Sequence, residues 1–168
     1  MKIIVISDSH GAEFYIKKVL DMHRDADAAI FLGDGVRDFF SLREKYGTLA
    51  FIGVRGNCDI GYGDAYGAQI TEEITLKGKR IFACHGHTYS VKGGLGVLAD
   101  AARARGADIA LFGHTHKRTE IYLPAEKENE APLYLINPGS IGGRGDDGHS
   151  FAVLEIKENG VLVSFGCV

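Results

Sequence analysis

The sequence lacks a surplus of positive charge, long apolar runs and paired cysteines. Its formal net charge is −3, so a broad basic face is excluded and we expect no stable nucleic-acid binding. No stretch approaches the ~20 apolar residues of a membrane span, and the first residues do not match a cleavable signal peptide. The three cysteines Cys58, Cys84 and Cys167 have no CxxC spacing, which is typical of reduced thiols. These absences predict a cytoplasmic protein with no membrane partner.

Several catalytic and nucleotide-binding signatures are also missing. There is no GxxxxGK[ST] phosphate-binding loop and no GxGxxG after the first apolar run. Six residues after Cys58 and Cys84 stand Asp64 and Ser90, whereas the cysteine-phosphatase signature requires arginine there. Nucleoside triphosphatases of the P-loop type, dinucleotide-binding enzymes and cysteine phosphatases are therefore disfavoured.

The remaining composition is that of an ordinary globular protein. Of 168 residues, 45% are hydrophobic and 24% charged, and we expect one domain over residues 1–168. Apolar runs at 3–6, 28–32 and 49–54 alternate with helical patterns at 13–23 and 36–46, which predicts a parallel sheet. The ligands of such sheets gather at the carboxyl ends of the strands.

The second half continues with a hairpin and then changes character. We predict hairpin strands at 69–76 and 80–84, a helix at 96–105 and a buried strand at 109–112. The short apolar runs at 121–123, 133–136, 151–156 and 161–165 predict a second, mainly antiparallel sheet. The charged segment 126–130 is interpreted as a solvated loop.

The chemistry begins where the first strand ends, at Asp8 and His10. In an extended backbone, residues i and i+2 point the same way, about 6.5 to 7 Å apart. We therefore expect both side chains to converge on one object, and a carboxylate oxygen with an imidazole suits a divalent transition metal.

Similar polar residues follow four more strand-like runs, each time beside a glycine. Taken singly, such a residue is typical of a turn, a helix cap or a surface histidine. Together they form a set with the donor atoms of metal ligands, comprising Asp8, His10, Asp34, Asn57, His85, His114 and His116.

Seven nitrogen and oxygen donors are too many for one four-coordinate zinc site and suit two ions sharing a carboxylate. Two divalent ions carry about +4, which Asp8 and Asp34 offset only in part, so the site favours an anionic substrate. Two ions with a bridging water or hydroxide suit attack at phosphorus. The sequence therefore predicts metal-assisted hydrolysis of a phosphate ester.

Five motifs in order resemble those of the calcineurin-like metallophosphoesterases. They are Asp8-x-His10, Gly33-Asp34, Gly56-Asn57-Cys58-Asp59, His85-Gly86-His87 and Gly113-His114-Thr115-His116. Asn137-Pro138-Gly139-Ser140 further resembles a loop of the small single-domain bacterial and archaeal phosphodiesterase branch. The resemblance implies an α/β (α+β) fold, a four-layer α-β-β-α sandwich with two packed mixed β-sheets, and hydrolysis of a small phosphodiester.

The resemblance also implies a role for each matching residue. Asp8, His10 and His116 would bind the first ion, Asn57, His85 and His114 the second, and Asp34 both. Asn57 would also contact the substrate phosphate. Two Mn²⁺ ions are the expected cofactors, although iron, nickel or zinc would suit the same ligands.

Three further residues have open roles. Cys58 stands where the protein phosphatase branch has a histidine that protonates the leaving group, and it is either a weak acid or a small packing residue. His87 is either the substitute acid or a residue that orients His85. Arg144 either binds the substrate phosphate or belongs to a flexible loop.

Two other functions remain open at this point. A phosphomonoesterase would use the same residues. A non-catalytic scaffold is the second alternative, because the resemblance extends to the retromer-subunit branch, in which a ligand histidine is typically lost; none is missing here. The sequence does not indicate an oligomeric state.

Overall fold

The computed structural model describes residues 1–61, 63–125, 131–158 and 160–168. The charged segment 126–130 lies outside the described residues. Within them, no helix has the length and apolar character needed to cross a membrane. The elements, in chain order, are β1 (Lys2–Ile6), α1 (Glu13–Met22), β2 (Ala28–Phe31), α2 (Val36–Phe40), β3 (Ala50–Gly53), β4 (Thr71–Leu76), β5 (Lys79–Cys84), α3 (Gly96–Ala104), β6 (Ile109–Leu111), β7 (Arg118–Leu123), β8 (Leu133–Pro138), β9 (Ser150–Lys157) and β10 (Gly160–Cys167).

The strands form two five-stranded sheets, with the orders β10-β9-β1-β2-β3 and β4-β5-β6-β8-β7. In the first sheet β1, β2 and β3 are parallel, and α1 and α2 supply the crossovers, as the sequence predicts. In the second sheet β5, β6 and β8 are parallel and the two edge strands antiparallel. Both sheets are therefore mixed.

The prediction that the last four strands form a sheet of their own is wrong. β9 and β10 extend the first sheet through antiparallel pairing of β9 with β1, whereas β7 and β8 complete the second sheet. The cause lies in the two-sided burial of these strands. In β8, Leu135 packs with the residues around α3 while Ile136 lies between the sheets, so β8 needs a central position.

The second helix is shorter than the sequence pattern predicts. α2 ends at Phe40, and Arg43–Tyr46 form a separate 3₁₀ helix. The Ser41 hydroxyl donates to the Asp38 carbonyl, and the Leu42 amide bonds the carbonyl three residues back. Such bonds compete with the α-helical pattern and tighten the last turn.

Three apolar clusters separate the layers of the fold. One packs α1 and α2 on the first sheet through residues such as Ile16 and Phe39. The second fills the space between the sheets, where Val5 and Ile109 are both fully buried. The third packs α3 on the second sheet through Leu98. This order confirms the α-β-β-α sandwich, in which the strand ends of both sheets face one rim.

Backbone hydrogen bonds join the loops at that rim. The Asp8 amide donates to the Gly33 carbonyl over 2.9 Å and the His10 amide to the Asp34 carbonyl over 3.0 Å. The amide of Gly142 bonds the Asp8 carbonyl over 3.1 Å. The predicted motifs therefore lie side by side at the junction of the two sheets.

Candidate metal centre

Asp8 is fully buried and only one of its carboxylate oxygens is paired. Its Oδ2 atom accepts hydrogen bonds from the Ser7 hydroxyl and, over 3.1 Å, from the His114 amide. Its Oδ1 atom has no hydrogen-bond partner among the described residues. That oxygen lies 3.2 Å from His116 Nε2 and 3.8 Å from His10 Nε2. A buried oxygen without a donor and beside two imidazoles has the surroundings of a metal ligand.

Asp34 lies between the side chains of His10 and His85. Its Oδ1 atom accepts the Cys58 amide over 2.7 Å, while Oδ2 lies 3.4 Å from His85 Nε2 and 3.9 Å from His10 Nε2. One carboxylate oxygen is therefore fixed by the Cys58 amide, and the other faces both His10 and His85. A carboxylate shared by two ions would need such a position.

The donor atoms of these residues fall into overlapping groups, and the atoms of each group lie within 4.8 Å of one another. The groups combine carboxylate oxygens, imidazole nitrogens and one thiol, and comprise Asp8, His10 and His116; His10, Asp34 and Cys58; and Asp34, His85 and His114. All six histidines and carboxylates among the predicted ligands thus meet in one place.

His85 is held in the tautomer that a metal ligand needs. Its Nδ1 atom lies 2.6 Å from the Leu32 carbonyl oxygen, and because that oxygen can only accept, Nδ1 carries the hydrogen. The lone pair is then on Nε2, which lies 3.2 Å from His114 Nδ1 and 3.4 Å from Asp34. A backbone carbonyl behind a ligand histidine is a frequent orienting contact.

Burial and neighbouring charges set the ionisation of the cluster. Burial, with the charges of His85 and Lys92 adding to it, lowers the pKa of His114 to about 4. Burial and the charge of Arg144 also lower the pKa of His10. For Asp34, burial alone would raise the carboxyl pKa, but the hydrogen bond and charge of His85 outweigh it and lower the pKa well below its usual range. Burial would lower the pKa of His85, but Asp34 and Asp8 raise it above its ordinary value, so a metal ion at its Nε2 atom would displace a proton. Near pH 7 Asp34 is ionised, and His10 and His114 are neutral.

Five of the predicted ligands have left-handed backbone conformations, which are uncommon for residues other than glycine. They are Asp8 (φ 55°), His10 (φ 47°), Asp34 (φ 59°), His114 (φ 65°) and His116 (φ 59°). The prediction that Asp8 and His10 converge because of an extended backbone is therefore wrong in its reason, although the two side chains do converge. Each such residue costs roughly 1–2 kcal/mol, and their clustering marks the rim as a functional site.

Asp59, the last residue of the Gly56-to-Asp59 motif, organises the site from beneath, a role that its sequence pattern does not indicate. The residue is buried, and its carboxylate accepts four backbone amides, those of Asp34, Gly35 and Gly56 within 2.8 Å and that of Val36 at 3.0 Å. It thereby ties the turn after β2 to the turn after β3. These partners lie up to 25 positions away, so no local pattern indicates the role.

Asn137 supports the opposite side of the site. It is buried, and its Nδ2 atom donates to the Gly113 carbonyl over 2.8 Å and to the Thr115 hydroxyl over 3.1 Å. The neighbouring Ser140 hydroxyl donates to the Asp8 carbonyl over 2.9 Å. The Asn137-to-Ser140 loop therefore holds the two strand-end turns that carry Asp8 and His114.

Asn57 and Cys58 occupy the exposed turn after β3. The Asn57 Nδ2 atom contacts the Cys58 sulfur over 3.3 Å, and its side chain faces a cavity that His87 also lines. The Cys58 sulfur belongs to the group with His10 and Asp34. Burial of the thiol and the nearby Asp34 raise the pKa of Cys58 to about 11, so the thiol stays protonated near neutral pH.

His87 lies beside the cluster and not within it. Its ring centroid is 5.4 Å from that of His85 and 6.2 Å from that of His114. Its buried Nδ1 atom has no hydrogen-bond partner among the described residues, and burial together with the charge of His85 lowers its pKa. His85 Nδ1 donates its orienting hydrogen bond to the Leu32 carbonyl and not to His87.

Arg144 is exposed at the mouth of the site. Its amide donates to the Ser140 hydroxyl over 3.3 Å. Its positive charge adds to the lowering of the His10 pKa by burial and opposes a part of the rise in the Cys58 pKa. The guanidinium group therefore acts on the side of the cluster where Asp34 and His10 meet. An anion bound there would experience the same charge.

Comparison with known proteins agrees with this geometry. The family model of the calcineurin-like phosphoesterase superfamily domain matches residues 1–159. A Bacillus subtilis (strain 168) protein described as probable metallophosphoesterase YsnB is 30% identical over 170 residues, which cover 98% of this chain and 90% of that protein.

Solved structures share the fold over nearly the whole chain. A conserved uncharacterized protein of Streptococcus pneumoniae TIGR4, described as a predicted phosphoesterase, has a TM-score of 0.78 and 28% identity, covering 98% of this chain and 87% of that one. A Vps29 single mutant from Entamoeba histolytica has a TM-score of 0.67 and 26% identity, covering 99% and 98%. An archaeal phosphodiesterase has a TM-score of 0.68 and 22% identity, covering 98% and 99%.

Proposed function

This chain belongs to the calcineurin-like phosphoesterase superfamily, and we propose that it is a phosphodiesterase that works with two divalent metal ions. The family membership confirms the resemblance seen in the sequence motifs. The finer assignment, to a diester substrate and a binuclear site, rests on the arrangement of charges and unpaired atoms at the rim of the sandwich.

The proposed ligands divide between two ions. Asp8, His10 and His116 would hold the first, His85, His114 and Asn57 the second, and Asp34 would serve both. The groups Asp8, His10 and His116 and Asp34, His85 and His114, each with donor atoms within 4.8 Å of one another, support this division for the histidines and carboxylates, and Asn57 is added on the resemblance of its motif. Because the donors are oxygen and imidazole nitrogen, Mn²⁺ is the proposed ion, and iron, nickel and zinc suit the same set.

One observation carries the proposal. Asp8 Oδ1 and His10 Nε2 are both buried and both lack hydrogen-bond partners among the described residues, and they lie 3.8 Å apart. Leaving such atoms unpaired costs about 1–3 kcal/mol each. A cation between them satisfies both at once, which explains why the fold retains them.

The residues around the ions set the substrate class. When bound, two divalent ions lower the pKa of a shared water and offset the charge that develops on phosphate oxygens. Asp8 and Asp34 neutralise only about half of the ions' charge, so the site attracts an anion. Arg144 adds positive charge at the mouth, and the Asn57 amide group donates a hydrogen bond to a phosphate oxygen.

The choice of a diester over a monoester rests on the surroundings of the leaving group. A monoester phosphate carries an additional negative charge, and the two cations whose charges reach the cluster, Arg144 at His10 and Lys92 at His114, are both exposed to solvent. A diester instead needs space for a second organic group. A cavity beside Asn57 and His87 provides that space. His87 lines the same cavity, and in the neutral form that its lowered pKa favours it would donate an N–H hydrogen bond to the departing oxygen.

A scaffold role is the second candidate, and the likeness to Vps29 favours it. The chain retains every residue of the predicted ligand set, including the buried unpaired atoms that serve no purpose in a metal-free scaffold. We therefore rank it behind the enzyme.

The test compares a diester and a monoester with one leaving group. We expect the purified protein to hydrolyse bis(4-nitrophenyl) phosphate when supplied with Mn²⁺, to prefer it over 4-nitrophenyl phosphate, and to lose activity after chelation. A preference for the monoester would replace the diester assignment. A protein that binds no metal and hydrolyses neither ester would support the scaffold.

A further inference from the structure

A second cavity, of about 400 Å³, adjoins the turn after β6, in which Thr115 stands between two of the proposed metal ligands. Thr115 itself lines the cavity. Another lining residue, Val91, packs against the turn that carries His85, since a Cβ atom on the neighbouring Gly86 would lie 2.8 Å from its Cγ2 atom. The cavity therefore borders two of the loops that supply proposed metal ligands.

The apolar part of the cavity lining belongs to the core of the fold. Val91 is 4% exposed and Phe112 is 1% exposed, and both belong to the cluster that packs α3 on the second sheet, against which Leu95 also packs. All three residues line the cavity. Because the core already holds these side chains in place, a ligand that contacts them does not have to order them on binding.

The charged part of the lining consists of two lysines. Lys92 and Lys117 are exposed and line the cavity, and none of the described residues that line it is acidic. Lys2, Lys17 and Lys157 each form an ion pair with a carboxylate, whereas neither cavity lysine has such a pair within the part of the chain that the structure describes. Two unpaired ammonium groups on one cavity favour an anion, because lysine binds phosphates and carboxylates as a point charge.

The Thr115 hydroxyl adds a neutral hydrogen-bond donor. Its oxygen accepts bonds from Asn137 Nδ2 over 3.1 Å and from the Lys117 amide over 3.4 Å. These two bonds use the acceptor capacity of the oxygen and leave the hydroxyl hydrogen to be donated. Thr119, which also lines the cavity, donates to the Lys117 carbonyl over 3.2 Å and so fixes the backbone that carries this lysine.

We propose that this cavity binds a second anionic group of the substrate, a carboxylate or phosphate separate from the phosphodiester at the metal centre. Lys92 and Lys117 supply the positive charge, and the Thr115 hydroxyl supplies a hydrogen bond. Val91 and Phe112 contact the carbon chain that joins the two anionic groups. The inference rests on the proposed function and deepens it, since the substrate is then a phosphodiester that carries a further negative charge.

The test measures how much the enzyme gains from a second negative charge. The substrates are alkyl 4-nitrophenyl phosphates in pairs of equal chain length, from ethyl to pentyl, in which the alkyl chain ends in a methyl group or in a carboxylate. We expect the Mn²⁺-loaded wild type to favour the carboxylate ester at the best-fitting length by about tenfold in kcat/KM. No preference at any length would overturn the proposal.

Lysine variants show whether the cavity is the source of this preference. Lys92→Gln and Lys117→Gln are each expected to lower it about threefold and the double variant to abolish it, while Lys18→Gln, an exposed lysine of α1, keeps it. Because the preference compares two esters on the same protein, any effect of a variant on the metal centre cancels. A preference that survives the double variant would overturn the proposal, since the metal ions would then recognise the charge.

A binding measurement separates the failure of this proposal from the failure of the proposed function. Calorimetry on the Mn²⁺-supplied protein compares the phosphate monoesters of the same alkyl pairs. We expect the carboxylate-ended ligand of the best-fitting length to bind about tenfold more tightly than its partner, and the double lysine variant to lose the difference. Equal affinities at every length would overturn the anion site even if the diesters were hydrolysed. If no diester were hydrolysed but the difference and its loss were observed, the anion site would stand and the proposed hydrolysis would fall.

Discussion

The Oδ1 atom of Asp8 lies 3.2 Å from Nε2 of His116, and this buried oxygen has no hydrogen-bond donor among the described residues. The other oxygen of the same carboxylate is fixed by Ser7 and by the His114 amide. One oxygen of this carboxylate is therefore held by hydrogen bonds and the other is unpaired, and a substitution can change the second without losing the bonds to the first.

Asp8→Asn is expected to remove the first ion while the fold is kept. The amide oxygen can still accept the bonds made to Oδ2, and the loss of an unpaired buried charge does not destabilise the metal-free protein. We expect metal analysis to give about one ion per chain in place of two, a fall in activity of about a thousandfold, and a metal-free melting temperature no lower than that of the wild type. A variant that retains two ions would contradict the role of Oδ1.

Asp34→Asn is expected to have a larger effect on metal content than Asp8→Asn. Its Oδ1 atom keeps the bond to the Cys58 amide, but the oxygen that faces both donor groups is replaced by an NH₂ group. If Asp34 is shared, both ions are weakened together and the activity is abolished. Wild-type turnover, or the loss of a single ion, would show that Asp34 does not bridge.

Asp59→Asn tests the support beneath the site. The Oδ2 atom accepts the amides of Asp34 and Gly56, and an NH₂ group there leaves two buried donors unpaired. We expect the free energy of unfolding to fall by about 2 kcal/mol and metal affinity to weaken, as urea denaturation and metal titration would show. Asp100→Asn, on the exposed face of α3, is the control. Equal stability of the two variants would refute the role of Asp59.

Arg144→Ala is expected to weaken substrate binding without loss of metal. A guanidinium bond to phosphate of about 1.4 kcal/mol corresponds to a tenfold rise in KM, with kcat little changed and both ions retained. Arg144→Lys should recover part of the loss, and Lys18→Ala, elsewhere on the surface, should have no effect. An unchanged KM in Arg144→Ala would show that Arg144 does not bind the substrate phosphate.

Cys58 is expected to take no part in proton transfer. Because its pKa is raised to about 11, the thiolate is scarce below pH 9, and alkylation of Cys58 in the metal-free protein should accelerate only as the pH rises toward 11. Cys58→Ser should retain activity to within about threefold. A loss of activity of about a thousandfold in Cys58→Ser would instead show that the thiol acts as a general acid.

The sequence predicts the fold class and the residues of the cluster because both depend on local signals. Each ligand lies in a short turn that contains glycine and follows an apolar run, and the carboxyl ends of parallel strands share one edge. The resemblance to the family then implied the sandwich, which the sheets confirm.

What the sequence could not indicate depends on long-range contacts. The separation of β9 and β10 from β7 and β8 follows from which strand edges are free in the folded molecule, such as the edge of β1 that pairs with β9. The left-handed conformation of Asp8 and His10 goes with the hydrogen bonds that their amides donate to the carbonyls of Gly33 and Asp34. The role of Asp59 needs four amides brought together by tertiary structure.

The presence of two ions at the rim can be seen by anomalous diffraction from crystals soaked with Mn²⁺. We expect two peaks about 3.5–4 Å apart, one beside Asp8, His10 and His116 and the other beside His85 and His114, with Asp34 contacting both. A single peak, or none among these residues, would contradict the proposed two-ion site.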